Sequence, residues 1–241
     1  MAYNERIDKI IASFGELSRR DVKAAASKGR ITVNGTTVKD TSQKVTDTDT
    51  LCLDGKTITY DPFVYIMMNK PTGYVSSNDQ PGQPCVFDLV TQTERNRGLF
   101  CVGRLDKDTV GLIILTNDGD AAHQLLSPKN HVEKSYYFEC ADPLNDDHLS
   151  ALENGITLVD GFTTKPAKLE LDFNKKSGII TITEGKYHQI KRMFGAVGNK
   201  ITFLERRKFA NLTLDYTLER GQWRLLDENE RDILLQNVIR R

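Results

Sequence analysis

Residues 103–120 read GRLDKDTVGLIILTNDGD: a polar turn holding one arginine and two acids, a short greasy strand, and a second polar turn. At this length the apolar run is a strand and not a membrane span. Runs of the same character stand on either side of it: VYIMMNKP (64–71), KSYYFEC (134–140), AKLELDF (167–173), GIITIT (178–183) and KITFLERR (200–207). Helical patterns interleave at DAAHQLLS (120–127), NDDHLSALENG (145–155) and YHQIKRMFGAVG (187–198). The mixture predicts an α+β domain on a mixed, mainly antiparallel sheet flanked by helices. A long turn-rich loop, PTGYVSSNDQPGQPC (71–85), separates the first strand from the rest.

At 241 residues the chain suffices for one large domain with a small one attached. The formal net charge is +0, so no global field draws in nucleic acid, but the charge is unevenly placed. Residues 1–39 hold eight Lys/Arg against four Asp/Glu, residues 181–211 hold seven against two, and residues 139–172 hold eight acids against two lysines. Two basic patches of this kind suit phosphate. The opening MAYNERIDKI carries charges where a secretory signal needs an apolar core. Cys52, Cys85, Cys101 and Cys140 lie far apart with no C-x-x-C pair, which predicts reduced thiols in a cytoplasmic protein and no zinc knuckle.

Residues 1–59 read as one small unit and residues 60–241 as a second, with Pro62 at the break. Ile7, Ile10, Ile11 and Phe14 have helical spacing. Ser18 is placed to cap a second, alanine-rich helix, with Asp21 at its third position and Gly29 as its stop. Asn34-Gly35 and Asp54-Gly55 each sit between short alternating runs and predict hairpins. Arg19, Arg20, Lys23, Lys28 and Arg30 cluster on the second helix and the turn after it. The order Arg6-Ile7-Asp8, Ser18-Arg19-Arg20-Asp21-Val22 and Gly29-Arg30-Ile31-Thr32-Val33-Asn34-Gly35 resembles the S4 RNA-binding domain. That resemblance implies a module gripping folded RNA through its shape and backbone, with these cations and Arg6 as contacts.

Three chemistries can be compared for the opening stretch. A calcium loop fails, because the ligand positions at 110 and 117 are Val and Asn. The D-x-D phosphatase signature needs an apolar strand running directly into Asp106, and Gly103-Arg104 interrupts it. The third uses one carboxylate. Arg104 and Asp106 are two apart, on one side of an extended segment, so Arg104 would hold Asp106 ionised and aimed as a nucleophile.

The same stretch closely resembles the signature of pseudouridine synthases of the S4-domain family acting on ribosomal RNA. NKPTGYVSS (69–77), SPKNHVEKSYYFE (127–139) and EGKYHQIKRMFGAVG (184–198) resemble three further motifs of that family, in the right order. The resemblance implies Asp106 as the catalytic aspartate and Tyr136 as a tyrosine that stacks on the target base. It implies Lys191 as the aspartate's basic partner and Arg104 as an arginine holding the base flipped out. Lys70, Lys134, Lys186 and Arg192 within the motifs, with Arg206 and Arg207 beyond them, are the expected RNA contacts in this half. His188 is read as a packing or hydrogen-bonding residue. The implied reaction moves uracil from N1 to C5 on one ribose, so neither metal nor cofactor is expected.

DGFTTKPAKLE (160–170) resembles the branch acting on the small subunit, and the chain stops soon after WRLLDENERDILLQ without a long basic tail. The expected partner is therefore 16S rRNA, at the uridine numbered 516 in standard rRNA numbering, or a small-subunit assembly intermediate. The protein is expected to act as a monomer, away from membranes. A large-subunit (23S) target and a non-enzymatic RNA clamp are the alternatives.

Overall fold

Two short hairpins and two helices build the N-terminal unit. The computed structural model describes residues 3–77 and 82–236; part of the loop read at 71–85, the first two residues and the last five lie outside these. The chain divides into one compact unit of Met1–Val64 with Val90–Leu99 and another of Tyr65–Leu89 with Phe100–Arg241.

The first unit runs β1 (Asn4–Arg6), α1 (Ile7–Ser13), α2 (Arg19–Ser27), β2 (Ile31–Val33), β3 (Thr36–Thr37), β4 (Lys44–Thr46), β5 (Leu51–Leu53) and β6 (Lys56–Thr57). It also takes in α3 (Gln92–Arg95), from a later part of the chain. Ser18 and Asp21 form the expected capping box, each side chain meeting the other's backbone N–H. Both hairpin turns place an Asx residue and a glycine at positive φ: 51° and 79° at Asn34-Gly35, 52° and 75° at Asp54-Gly55. These are the conformations that the strand twist of a two-residue hairpin requires. Ile7, Ile10 and Ile11 of α1 meet Val22, Ala25 and Ala26 of α2 over Ile31, Val33 and Leu51 in one apolar cluster. Phe14, expected with the core, stands exposed, because α1 ends at Ser13 and Phe14 is its C-cap.

The second unit comprises β7 (Tyr65–Lys70), β8 (Phe100–Val102), β9 (Val110–Thr116), α4 (Gly119–Leu126), β10 (Lys134–Cys140), α5 (Asp146–Asn154), β11 (Lys168–Leu171) and β12 (Ser177–Ile182). It continues through α6 (Gln189–Ala196), β13 (Ile201–Phe209), β14 (Leu212–Thr213), β15 (Trp223–Leu225) and α7 (Glu228–Leu235). Its sheet has the order β11-β12-β10-β13-β9-β7-β15, with β14 on β13 and β8 on β9. Every residue of β7 and β9 is buried, so both faces of the sheet are covered there.

Among the described residues one pair of strands is parallel: β9 meets β13 at Val110–Glu205 and Gly111–Arg206. Gly111 makes this seam possible. Its φ is +98°, and a Cβ there would lie 2.3 Å from the carbonyl oxygen of Arg206. The seam sets the start of β9 level with the middle of β13. α6 then runs back along the sheet, with Phe194 edge-on to Phe138 of β10 at 4.9 Å between ring centres.

Candidate active site

The loop before β9 and the first turn of α6 meet at the end of that seam. Asp106 comes from the loop, and α6 presents Lys191 and His188 to it. Lys191 Nζ lies 3.3 Å from Asp106 Oδ2 and 2.5 Å from Asp108 Oδ1, bridging two carboxylates. His188 Nε2 lies 3.4 Å from Asp106 Oδ1. The Asp106 side chain keeps 25% of its surface exposed. Burial would raise the Asp108 carboxyl, but the hydrogen bond and charge of Lys191 outweigh it and hold that carboxyl below its usual range. These groups border a cleft of about 430 Å³, its open mouth included, whose walls include Arg104, Thr109, Tyr136 and Ile190.

Tyr136 points inward from β10. The strand alternates Lys134, Tyr136, Phe138 and Cys140 on the buried face with Ser135, Tyr137 and Glu139 on the other. The tyrosine ring therefore forms a wall of the cleft and is itself 7% exposed. A carboxylate held by a lysine and a histidine, faced by an aromatic ring in an open cleft, suits chemistry on a planar base carried by a sugar.

Both units match described families. Residues 64–196 match the RNA pseudouridylate synthase family and residues 5–51 match the S4 domain. The chain belongs to the RNA pseudouridine synthases. It is 42% identical to the uncharacterized RNA pseudouridine synthase YtzG of Bacillus subtilis, over 95% of this chain and 98% of that one. It is 38% identical to ribosomal small subunit pseudouridine synthase A of Haemophilus influenzae, over 96% and 100%. A crystal structure of a pseudouridylate synthase, 38% identical, superposes with a TM-score of 0.67 over 95% of this chain and 99% of that one.

The synthase holds its aspartate loop from beneath. Lys70, 0% exposed at the end of β7, donates to the carbonyls of Thr109 (2.8 Å), Pro71 (3.1 Å) and Lys107 (3.3 Å). Ser76 Oγ donates to the Leu105 carbonyl at 2.9 Å and accepts from the Leu105 N–H at 3.2 Å. The backbone is thus pinned on both sides of Asp106. Burial pushes the Lys70 ammonium down to about 8 despite the pull of Asp108 and Asp106. The Thr109 hydroxyl is buried and has no hydrogen-bond partner among the described residues, and its residue lines the cleft. Such an orphaned group is one that a bound ligand can satisfy.

Several expectations need correction. The cation on Asp106 is Lys191, with His188 on the other oxygen, and not Arg104, which stands exposed and lines the same cleft. Lys70, Lys134 and Arg206 are buried and unavailable to phosphate. Lys134 lies on the covered face of β10, Lys70 in a strand buried on both faces, and Arg206 in a run of β13 whose register is irregular. Lys134 Nζ donates to the Val132 carbonyl at 2.8 Å, and burial pushes it down to about 8. Arg206, 1% exposed, donates from Nε to the Leu112 carbonyl at 2.7 Å and lies over the Phe209 ring.

Arg207, in the register shift where β13 passes Ser135 and Tyr136, is half-buried. It stacks 4.0 Å over Tyr137 and pairs with Glu205 at 2.8 Å. Arg192 pairs with Asp160 at 2.5 Å, whereas Lys186 stays exposed beside Phe162. In the N-terminal unit Arg6 is held by Asp8 and Arg30 by Asp54, each through two hydrogen bonds. Arg19, Arg20, Lys23 and Lys28 stand exposed on and just after α2.

His188, expected as a packing or hydrogen-bonding residue, belongs to the site. It is the residue before α6, in the left-handed conformation at φ 49° and ψ 34°. Gln189 secures that turn, accepting from the Lys186 N–H at 2.9 Å and donating to Glu184 Oε1 at 2.7 Å. The H-Q pair within the fourth motif was the available signal. No helix among the described residues is long and apolar enough to cross a membrane.

Proposed function

We propose that this synthase converts one uridine of small-subunit (16S) ribosomal RNA to pseudouridine, at position 516 in standard rRNA numbering. Asp106 is the reacting carboxylate. The observation that carries the reading is the convergence of Lys191 and His188 on the two oxygens of Asp106, in a cleft walled by Tyr136. The similarity to ribosomal small subunit pseudouridine synthase A, full-length on both sides, supports the rRNA target.

The reaction breaks the C1′–N1 bond, turns the freed uracil and joins C1′ to C5. The C5 proton then moves to solvent or to a base, and N1 gains one, so atoms balance without an added reagent. The uridine leaves the RNA stack to reach the cleft, where Tyr136 supplies a stacking surface. Arg104, exposed at the mouth, is placed to occupy the gap or hold the phosphate of the extruded nucleotide. Asp106 starts the chemistry from the sugar side. Lys191, shared with Asp108, keeps it aimed, and a one-ångström misplacement of such a group costs about a hundredfold in rate. The Thr109 hydroxyl, partnerless among the described residues, is covered beside the cleft and would meet the polar edge of a base that displaces the covering atoms.

Pseudouridine mapping of 16S and 23S rRNA tests this in cells with the wild-type protein, Asp106→Asn or a deletion. One 16S site should disappear in both altered strains. Loss at a 23S site would replace the target and keep the enzyme. An unchanged map in the Asn strain would remove Asp106 from its role.

A further inference from the structure

Tyr187 is 73% exposed, yet it is not loose: its ring lies flat on His188, with centres 3.8 Å apart and planes 18° from parallel. His188 in turn touches Asp106. One face of the tyrosine is therefore backed by the catalytic cluster and the other faces solvent at the rim of the cleft. The backbone beneath it is fixed from three directions. Arg192 Nη1 donates to the Tyr187 carbonyl at 3.3 Å, while the same guanidinium is tied to Asp160. Gln189 pins Lys186 on one side, and the left-handed turn of His188 sets the other. The proposed chemistry makes no use of a tyrosine here.

A rigid, flat, outward aromatic beside a cleft that admits one extruded base is a stacking platform. We infer that Tyr187 stacks on a nucleobase flanking the isomerised uridine, more tightly for a purine than for a pyrimidine, and so positions the RNA strand and contributes to site selection. The inference rests on the reading that the cleft accepts a flipped uridine of RNA. Stacking of a base on a protein ring contributes about 1–3 kcal/mol by alanine substitution, which converts to roughly 5- to 150-fold in affinity.

The test uses the full-length protein and a 16S rRNA transcript containing the target uridine. A second set of transcripts carries an abasic nucleotide at each neighbouring position in turn. Tyr187→Ala should raise KM about tenfold with kcat little changed, and Tyr187→Phe and Tyr187→Trp should restore it. One abasic transcript should cost the wild type about the same factor and cost Tyr187→Ala nothing more. An unchanged KM in Tyr187→Ala, or losses that multiply for every abasic position, would overturn the platform. The thermal midpoint of Tyr187→Ala checks its fold. Dissociation constants for the same transcripts separate the two readings. Wild-type protein that forms no pseudouridine but shows the Tyr187-dependent abasic pattern in binding would retire the reaction and keep the platform. Absence of the pattern in binding would retire the platform itself.

Discussion

Arg19, Arg20, Lys23 and Lys28 of the N-terminal unit stand in solvent, whereas Lys70, Lys134 and Arg206 of the larger unit are buried within its sheet. The residue types are the same and their physical roles are opposite. The exposed group keeps its hydration, acts at a distance and is screened by salt. The buried group has given up water and found backbone carbonyls in place of carboxylates, as Lys70 does with three of them. A buried cation with that arrangement stabilises little by its charge. What it fixes is the path of the backbone that carries Asp106. On the proposed function one region would supply affinity for RNA and the other geometry, and substitutions should separate the two.

The largest expected effect is at Lys70. Lys70→Met should lower kcat about a hundredfold while leaving KM for the transcript near its wild-type value, since the loop around Asp106 loses its buttress. Single-turnover kinetics read this directly, and an unchanged kcat would mean that Ser76 and the turn itself hold the loop. The same variant carries a signature in stability. Between about 8 and the ordinary lysine value of 10.5 the unfolded chain binds more protons at position 70 than the folded one. Stability from this group therefore rises with pH across that window, by at most about 1.4 kcal/mol per pH unit, and is flat below it. Lys134 behaves alike. The buried Cys101 thiol, pushed up to about 12, works in the opposite direction above 9, so the reading is the difference between the two proteins: the urea midpoint of the wild type should gain on that of Lys70→Met as pH rises across this window.

A smaller effect is expected on the exposed side. Changing Arg19, Arg20, Lys23 and Lys28 together to Gln should raise KM about tenfold at physiological salt and leave kcat alone. The slope of log affinity against log salt should shrink by roughly 0.7–0.9 for each phosphate that is no longer neutralised. A fall in kcat with no change in the salt slope would reverse the assignment of roles. The smallest is Thr109→Val, which keeps shape and removes the partnerless hydroxyl. It should slow turnover about two- to tenfold, the scale of one hydrogen bond, without lowering the thermal midpoint. A loss of stability instead would show that the hydroxyl serves the fold.

Local features were legible from residues alone. The Ser18–Asp21 box and the Asn34-Gly35 and Asp54-Gly55 turns are decided within four residues, and the structure forms them as expected. The strands β7, β9, β10, β12 and β13 follow from short apolar runs. Asp106 and Lys191 were reached through motif resemblance, since no periodicity connects positions so far apart, and the structure brings them within 3.3 Å. Three things stayed hidden. Alternation says that Lys134 and Tyr136 share a face but not that this face is the covered one. An irregular register in β13 decides that Arg206 is inward and Arg207 half-exposed. The left-handed turn at His188 depends on contacts made by Gln189 and is not written in composition.

The parallel seam at Val110–Glu205 and Gly111–Arg206 has a bearing on how such a chain can change in length. Connections remote from it, such as the turn between β11 and β12 at the edge of the sheet, can grow or shrink while the reacting groups stay in place. The stretch from Asp106 to Val110 and the stretch from Lys191 to Glu205 have no such freedom. Both are measured from the same point on the sheet, and one added residue in extended backbone shifts its neighbour by about 3.3 Å. That is as large as the separation of Lys191 from Asp106. Two short intervals, far apart in the chain, therefore act as a single ruler: length can drift across the molecule except where both ends of that ruler are fixed.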